Sequence, residues 1–386
     1  MPVALSAAWR AECLVDPGID FLNPGTLAPT LRCAYTAMFD AYSHWMAAGP
    51  GASLEDRSAR AYLNAMEEQD RCRRVLAGWL QVQAESVALL GNATDGINAA
   101  LGSVSWQPGD RIVTSDEEHE ALRHPLRQLR LRHGVEVDLV PFPQAADKAQ
   151  GFAERISAAL SLATRMVAVS QVSHRSGVRI DLDQVTAALA KRPDVLLLVD
   201  GSHAAGAVAD LVRDGVDFYA FPGHKWLFGP VETGVLWVSE RALRDTAPLM
   251  SGAPMMSAEG VRYEDGSGAW RYEYGTRDWT KMVGLSAAVR FRQQWPEEEL
   301  LHHYAELGTS FRQGFEDADC GHPLEGAAPL FSVLTEQGAT VGQTLWQRHR
   351  VIVKPQAGNI RISLPPWLER SRARELGHLL AQNLKA

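Results

Sequence analysis

VLLLVDGSHAAGAVADLVRDGVDFYAFPGHKWLFGPVETGVLW, residues 195–237, decides the fold because it sets three apolar runs around one strand-ending aspartate and one lysine. VLLLVD (195–200) reads as a strand ending on Asp200, VDFYAF (216–221) as a second and GVLWVS (234–239) as a third. Gly223, His224 and Lys225, followed by Gly229-Pro230, read as the turn between the last two.

Upstream the same alternation begins at residue 86. SVALLG (86–91), DRIVTS (110–115), VEVDLVPFP (135–143) and RMVAVSQVS (165–173) read as strands, with helices predicted over 92–104, 117–134, 152–161 and 181–192. Seven near-continuous apolar strands alternating with helices predict an α/β fold whose mainly parallel sheet is covered on both faces. Such a sheet takes its ligands outside the carboxyl ends of its strands. The candidate polar groups fall there: Asn92-Ala93-Thr94, Ser115 to His119, Gln171 to His174, Asp200, and His224-Lys225.

The flanks are different. A short helix candidate precedes IDFLNPGTLAP (19–29), a strand-turn broken by Asn23, Pro24, Gly25 and Pro29, and amphipathic helices are expected over 31–48 and 56–84. Residues 250–282 read as a Gly- and Met-rich loop, and a helical stretch runs from about 283 to 317. PLFSVLTE (329–336), RVIVKP (350–355) and NIRISL (359–364), with helices near 340–349 and 368–384, read as a smaller α+β unit. The expected organisation is an N-terminal segment (1–30), a large domain (31–282) and a small C-terminal domain (283–386).

A net charge of −8 without any Lys/Arg run argues against nucleic acid or an anionic membrane as partner. The four cysteines (13, 33, 72 and 320) lie far apart without metal-ligand spacing and read as reduced thiols. MPVALSAAWRAECLVD lacks a signal-peptide pattern, and no apolar run reaches the roughly 18 residues of a membrane span, so a cytoplasmic protein is expected.

By position alone Lys225 is a turn lysine of the kind found on surfaces. Asp200 alters that reading. An acid ending an apolar strand is poorly placed for solvent and needs a cationic or hydrogen-bonded partner. A protonated pyridine nitrogen is such a partner, and a lysine amine in reach of it can condense with an aldehyde; together they meet the requirements of pyridoxal phosphate.

At VDGSHAAG (199–206) and GHKWLFGP (223–230) the chain resembles the class V branch of the fold-type I pyridoxal-phosphate enzymes. That branch includes cysteine desulfurases, cysteine/cystine C–S lyases and isopenicillin-N-epimerase-like proteins. The resemblance runs from FLNPG (21–25) to IRIS (360–363), and HKW with GTRD (275–278) looks closer to the lyase and epimerase-like members. It implies pyridoxal 5′-phosphate as cofactor and a homodimer whose sites are completed by the neighbouring subunit. Lys225 would be the Schiff-base lysine and proton shuttle, and Asp200 the partner of the pyridine nitrogen. His119 would stack on the ring; read alone it is a helix-terminal surface histidine. Ala93, Thr94 and Asp95 would form the phosphate cup at a helix N-terminus, where Thr94 alone is N-cap-like. His224 would lie near the phosphate, His203 near the ring oxygen, and Gly275-Thr276 would reach the neighbouring subunit's phosphate. Arg361 would clamp the substrate carboxylate, with Asn23 beside it in the substrate pocket.

Three departures stand out: Pro222 where the family carries Ser or Thr, His174 at the place of a ring-oxygen contact, and Glu232-Thr233-Gly234 in place of Gly-Thr-Gly. A desulfurase needs a nucleophilic cysteine shortly before the carboxylate-binding arginine. Residues 321–360 hold none, and Cys320 lies 41 residues before Arg361. The expected reaction is therefore α,β-elimination from a sulfur-containing amino acid, with transamination or epimerisation as the alternative and desulfuration ranked below both. A non-catalytic scaffold or sulfur-relay partner is disfavoured by retention of both Asp200 and Lys225.

Overall fold

Leucine and valine on both faces of the central strands settle the architecture. In the computed structural model, which describes residues 5–47, 57–143, 151–209, 211–250, 256–257, 260–261, 268–275 and 277–385, α1 (Leu5–Glu12), β1 (Asp20–Phe21), α2 (Arg32–Ala47) and α3 (Arg57–Leu80) lead into a seven-stranded sheet. Its strands and interleaved helices are β2 (Val87–Leu90), α4 (Ala93–Gly102), β3 (Arg111–Ser115), α5 (Glu120–His133), β4 (Glu136–Val140), α6 (Phe152–Ala159), β5 (Thr164–Ser170), α7 (Leu182–Leu189), β6 (Leu196–Asp200), β7 (Phe218–Pro222) and β8 (Gly234–Val238). The spatial order is β2-β8-β7-β6-β5-β3-β4, with β8 antiparallel to both neighbours and the other pairs parallel.

Leu197 and Val199 of β6 pack with Cys72 and Leu76 of α3, Ile156 of α6 and Val185 of α7. Leu196 and Leu198 pack on the opposite face with Ile97 of α4 and Leu126 of α5. Successive strand side chains alternate between faces. A strand buried on both must therefore be apolar throughout, which is the pattern of residues 195–199.

Beyond β8 come α8 (Glu240–Asp245), a short hairpin of β9 (Met256–Ser257) and β10 (Gly260–Val261), then α9 (Thr280–Arg292) and α10 (Glu297–Asp317). The single helix expected over 283–317 is thus two. Pro296 separates them: its ring ends one helix, and it stands as N-cap before three glutamates in the first turn of the next.

A four-stranded antiparallel sheet follows, built from β11 (Leu324–Ala327), β12 (Leu330–Leu334), β14 (Lys354–Gln356) and β15 (Asn359–Ser363), with α11 (Gly338–His349), β13 (Val351–Ile352) and α12 (Arg370–Lys385) around it. RVIVKP (350–355) is accordingly two short strands interrupted at Val353. The N-terminal segment docks here: β1 pairs in parallel with β13, and the Ser363 amide donates to the Leu22 carbonyl at 2.9 Å. Trp9 and Leu22 share one apolar cluster with α10, α12 and the small sheet. Among the described residues no helix is long and apolar enough to cross a membrane.

Candidate active site

Asp200, only 3% exposed, ends β6, and one carboxylate oxygen accepts the Ser202 amide at 2.8 Å. Gly201 is required next, because a Cβ there would stand 2.2 Å from the Tyr219 ring. The turn delivers buried His203, whose Nε2 lies 3.3 Å from the Lys225 Nζ. Lys225 arrives from the turn after β7, seated on Trp226, which is fully buried against Ala204, Ala207 and Leu330. Gly206 permits that seat: it has φ +90°, and a Cβ would lie 2.7 Å from the Trp226 carbonyl oxygen. Loss of hydration lowers the Lys225 amine from 10.5 to about 8, with Asp200 opposing and Arg361 adding to the shift.

Ser202, His203 and Lys225 border one cavity of about 290 Å³, whose lining does not include Asp200 itself. Ala93 and Thr94 enter it from the N-terminus of α4. The helix cap is Asn92, not Thr94: its side-chain oxygen accepts the Asp95 amide at 2.9 Å. Asp95 does not line the cavity, and its carboxylate accepts the Gly91 amide at 3.1 Å. His119 combines both sequence readings. It is the exposed N-cap of α5, with Nδ1 accepting the Ala121 amide at 3.1 Å, and it also borders the cavity. Its ring meets that of His174 edge-on at 5.0 Å.

Arg361 comes from the other sheet. It is 4% exposed on β15, donates to the His174 carbonyl at 2.8 Å and to Thr26 Oγ1 at 2.6 Å, and keeps a buried Nε without a partner. Thr26 belongs to the N-terminal turn, so three distant segments meet at this guanidinium. Burial lowers its pKa to about 10. Asn23 does not line the cavity but lies in the same turn, its carbonyl accepting the Thr26 amide and its side-chain oxygen buried without a partner. Gly275 is exposed and away from the cavity, and Thr276 lies outside the described residues.

Burial also depresses the histidines: His174 to about 3, His224 to about 4, His119 below its usual value and His203 well below it. Lys225 adds to each of these shifts as a nearby positive charge. Below the site, Glu118 is buried and accepts from Ser115 Oγ at 2.6 Å and from the Ser170 amide at 3.1 Å. Burial raises its pKa from 4.5 to about 7, and the Asp200 charge pushes the same way.

Several cavity residues were not singled out from sequence: Ser202, Lys354, Gln356 and Thr26. Asn92, named among the strand-end polar groups, takes the capping role that the sequence reading gave to Thr94. All four cysteines lie away from the cavity lining; Cys33 and Cys72 have thiol pKa values pushed up to about 12, chiefly by burial. At one departure, Glu232 holds φ +62°, a left-handed conformation that favours glycine, and its carboxylate pairs with Lys281.

A family model, Aminotransferase class-V, matches residues 21–320, which span the large sheet and every cavity-lining residue except Lys354, Gln356 and Arg361. The chain belongs to the class-V aminotransferase family. This class-V protein is similar to a probable cysteine desulfurase of Methanothermobacter thermautotrophicus, 30% identical over 277 residues that cover 70% of this chain and 66% of that one. A cysteine desulfurase of Salmonella choleraesuis is 31% identical over 237 residues, covering 59% and 56%. The matched regions thus span 56–66% of those relatives' length. Among solved structures, a C-DES mutant with glycine covalently linked to its PLP cofactor gives a TM-score of 0.86 at 21% identity over 99% of each chain. The cystine C–S lyase C-DES in complex with cysteine persulfide gives 0.82 at 23% over 95% of this chain and 98% of that one. The apo cysteine desulfurase from Thermococcus onnurineus gives 0.83 at 19% over 99% of each. These likenesses establish the fold-type I architecture. The low rank given to desulfuration finds no support in the curated relatives, which carry the desulfurase name.

Class-V proteins depend on pyridoxal 5′-phosphate, which is the cofactor of this chain's family. The residues present fit that cofactor. His174, His203 and His224 line the cavity and each leave a buried Nδ1 without a protein partner, as Arg361 leaves its Nε. A helix start leaves its first amides without intrahelical partners and suits an anion, and Ala93 and Thr94 at the start of α4 line the cavity.

Proposed function

We propose that the protein cleaves the C–S bond of a sulfur-containing amino acid by α,β-elimination, with Lys225 as base. What carries the reading is a partly desolvated lysine amine and a buried arginine on one cavity that no cysteine lines, with a buried aspartate two residues before the lining Ser202. When bound, pyridoxal phosphate supplies an aldehyde for an amine and an electron sink for the pair left at Cα.

The chain's own groups do the rest. Asp200 keeps a cation in place at the end of β6. The α4 N-terminus, with Asn92 fixing its first turn, holds a phosphate, and His224 stands beside it. A pKa of about 8 leaves a useful fraction of Lys225 neutral near pH 7.5, so it can take the Cα proton. His203 Nε2, 3.3 Å away, holds the amine. Arg361 keeps its Nε edge free for the substrate carboxylate, while its Nη atoms are anchored to His174 and Thr26. Loss of the proton and of the sulfur group on Cβ yields pyruvate and ammonia after hydrolysis.

Sulfur transfer to a protein thiol is the second reading, favoured by the relatives' names. It would have to use a cysteine that does not line this chain's cavity; Cys320, the nearest in sequence to Arg361, packs against the small-sheet cluster. Incubation with cysteine, cystine and cysteine S-conjugates separates the two: pyruvate with ammonia supports elimination, alanine with a protein persulfide supports transfer. Keto acids retaining the sulfur side chain, or D-amino acids, would remove both.

We also propose a homodimer. α2 exposes Tyr35, Phe39 and Tyr42 at helical spacing, and the exposed Gly275 is free to approach another copy. Sedimentation at a single mass of one chain would refute it.

A further inference from the structure

Two cavity residues are absorbed neither by the cofactor nor by the carboxylate clamp. Lys354 of β14 lies directly opposite Arg361 of β15 in the antiparallel register, so both side chains leave the sheet on one face. Gln356 lies two residues on, and residues two apart in a strand also share a face. All three line the cavity. Among the described residues no carboxylate lies within ion-pair distance of Lys354. The Gln356 side-chain oxygen is buried without a donor.

Like charges directly opposite each other in a sheet repel. Here the repulsion is kept inside a ligand cavity, where a second anion would relieve it. Arg361 already serves the carboxylate on Cα, leaving Lys354 for an anion further along the substrate.

We propose that Lys354 and Gln356 form a second subsite that selects sulfur amino acids whose leaving group carries its own carboxylate. The inference rests on the C–S cleavage reading above. Lys354 pairs with the distal carboxylate, and the Gln356 carbonyl accepts an N–H when the leaving group is itself an amino acid. The bond that breaks is Cβ–S: its electron pair departs on sulfur as the thiolate or persulfide, while the Cα proton passes to Lys225.

The test uses holoenzyme and three mixed disulfides of cysteine, with thioglycolate (acidic), ethanethiol (neutral) and cysteamine (cationic), followed by pyruvate release. For the wild type, kcat/KM for the acidic substrate should exceed that for the neutral one by about tenfold, the size of one partly solvated charge pair. Lys354→Met should bring the ratio near one, Lys354→Arg should keep it, and Lys354→Glu should shift preference to the cysteamine disulfide. An unchanged ratio in Lys354→Met overturns the subsite, as does a variant that loses cofactor affinity while its ratio persists. A second arm needs no turnover: calorimetry with glutarate and butyrate. The wild type should prefer the dicarboxylate about tenfold, and Lys354→Met should not. If no disulfide yields pyruvate, the elimination reading fails and calorimetry alone decides the subsite; equal affinities for the two acids then overturn it.

Discussion

Glu118→Gln probes the layer beneath the site. The Glu118 carboxyl is 2% exposed and is held by Ser115 and Ser170, and Ser170 is the register partner of Asp200. Its pKa is raised from 4.5 to about 7, first by burial. A carboxyl whose folded value is raised binds more protons when folded than when unfolded. Its stabilising contribution is complete below about pH 4.5 and is lost as pH climbs to about 7. At about 1.4 kcal/mol per pH unit of separation, that span amounts to about 3 kcal/mol. Glutamine keeps the shape, can accept from Ser115 and from the Ser170 amide, and does not ionise. The variant should therefore gain on the wild type as pH rises. For a chain of 386 residues, 3 kcal/mol corresponds to about 4 °C in Tm. Calorimetric scans at pH 5 and pH 8, with both proteins saturated with cofactor at one scan rate, measure it. A Tm difference between variant and wild type that stays flat across that range would refute the buried, near-neutral Glu118.

Other tests concern the cavity itself. Lys225→Ala should abolish the visible absorption of the bound cofactor, while Asp200 and the α4 N-terminus retain weak, dialysable binding; absorption that survives removes Lys225 as the condensing amine. In apoprotein, borohydride trapping of an aldehyde on Lys225 should rise about tenfold per pH unit below pH 8 and level off above it, because only the neutral amine reacts. A tenfold rise per unit that continues through pH 9 would contradict the lowered pKa. Arg361→Ala should raise KM for amino acids by roughly 30-fold, the loss of a buried charged hydrogen-bond pair. Arg361→Lys should not restore it, because an ammonium cannot hold both His174 and Thr26 and still present a fork; an unchanged KM in either variant places the carboxylate elsewhere.

Legibility in the sequence followed how local each signal was. The large sheet was readable because burial on both faces forces unbroken apolar runs such as 195–199. Asp200 was readable because an acid at a strand end breaks such a run, and Lys225, a surface lysine by position alone, was readable only through Asp200 and the family resemblance of GHKWLFGP. Asp95 was drawn into the phosphate cup by adjacency, whereas its amide is occupied by Asn92 and its carboxylate by Gly91. Glu118 was hidden beside His119: in EEHEA nothing local shows that the second glutamate turns inward to Ser170 and the histidine outward to the cavity. Lys354 was invisible for a stronger reason. A lysine after a short apolar run reads as surface, and only its tertiary pairing with Arg361 puts it in the site.

The four histidines now explain how so crowded a cavity keeps its charge in order. With His174 at about 3, His224 at about 4 and the other two also depressed, all four are neutral at pH 7. They offer donors and acceptors without adding positive charge beside Lys225. Were any of them charged, Coulomb repulsion would drive the Lys225 amine further below 8, and the histidine would compete with it for the anions. The fixed charges left at the cavity are Arg361, Lys354 and a part-protonated Lys225 against Asp200 beneath. That excess of positive charge suits a cofactor phosphate together with a carboxylate substrate, and it is largest when the substrate brings a second carboxylate for Lys354.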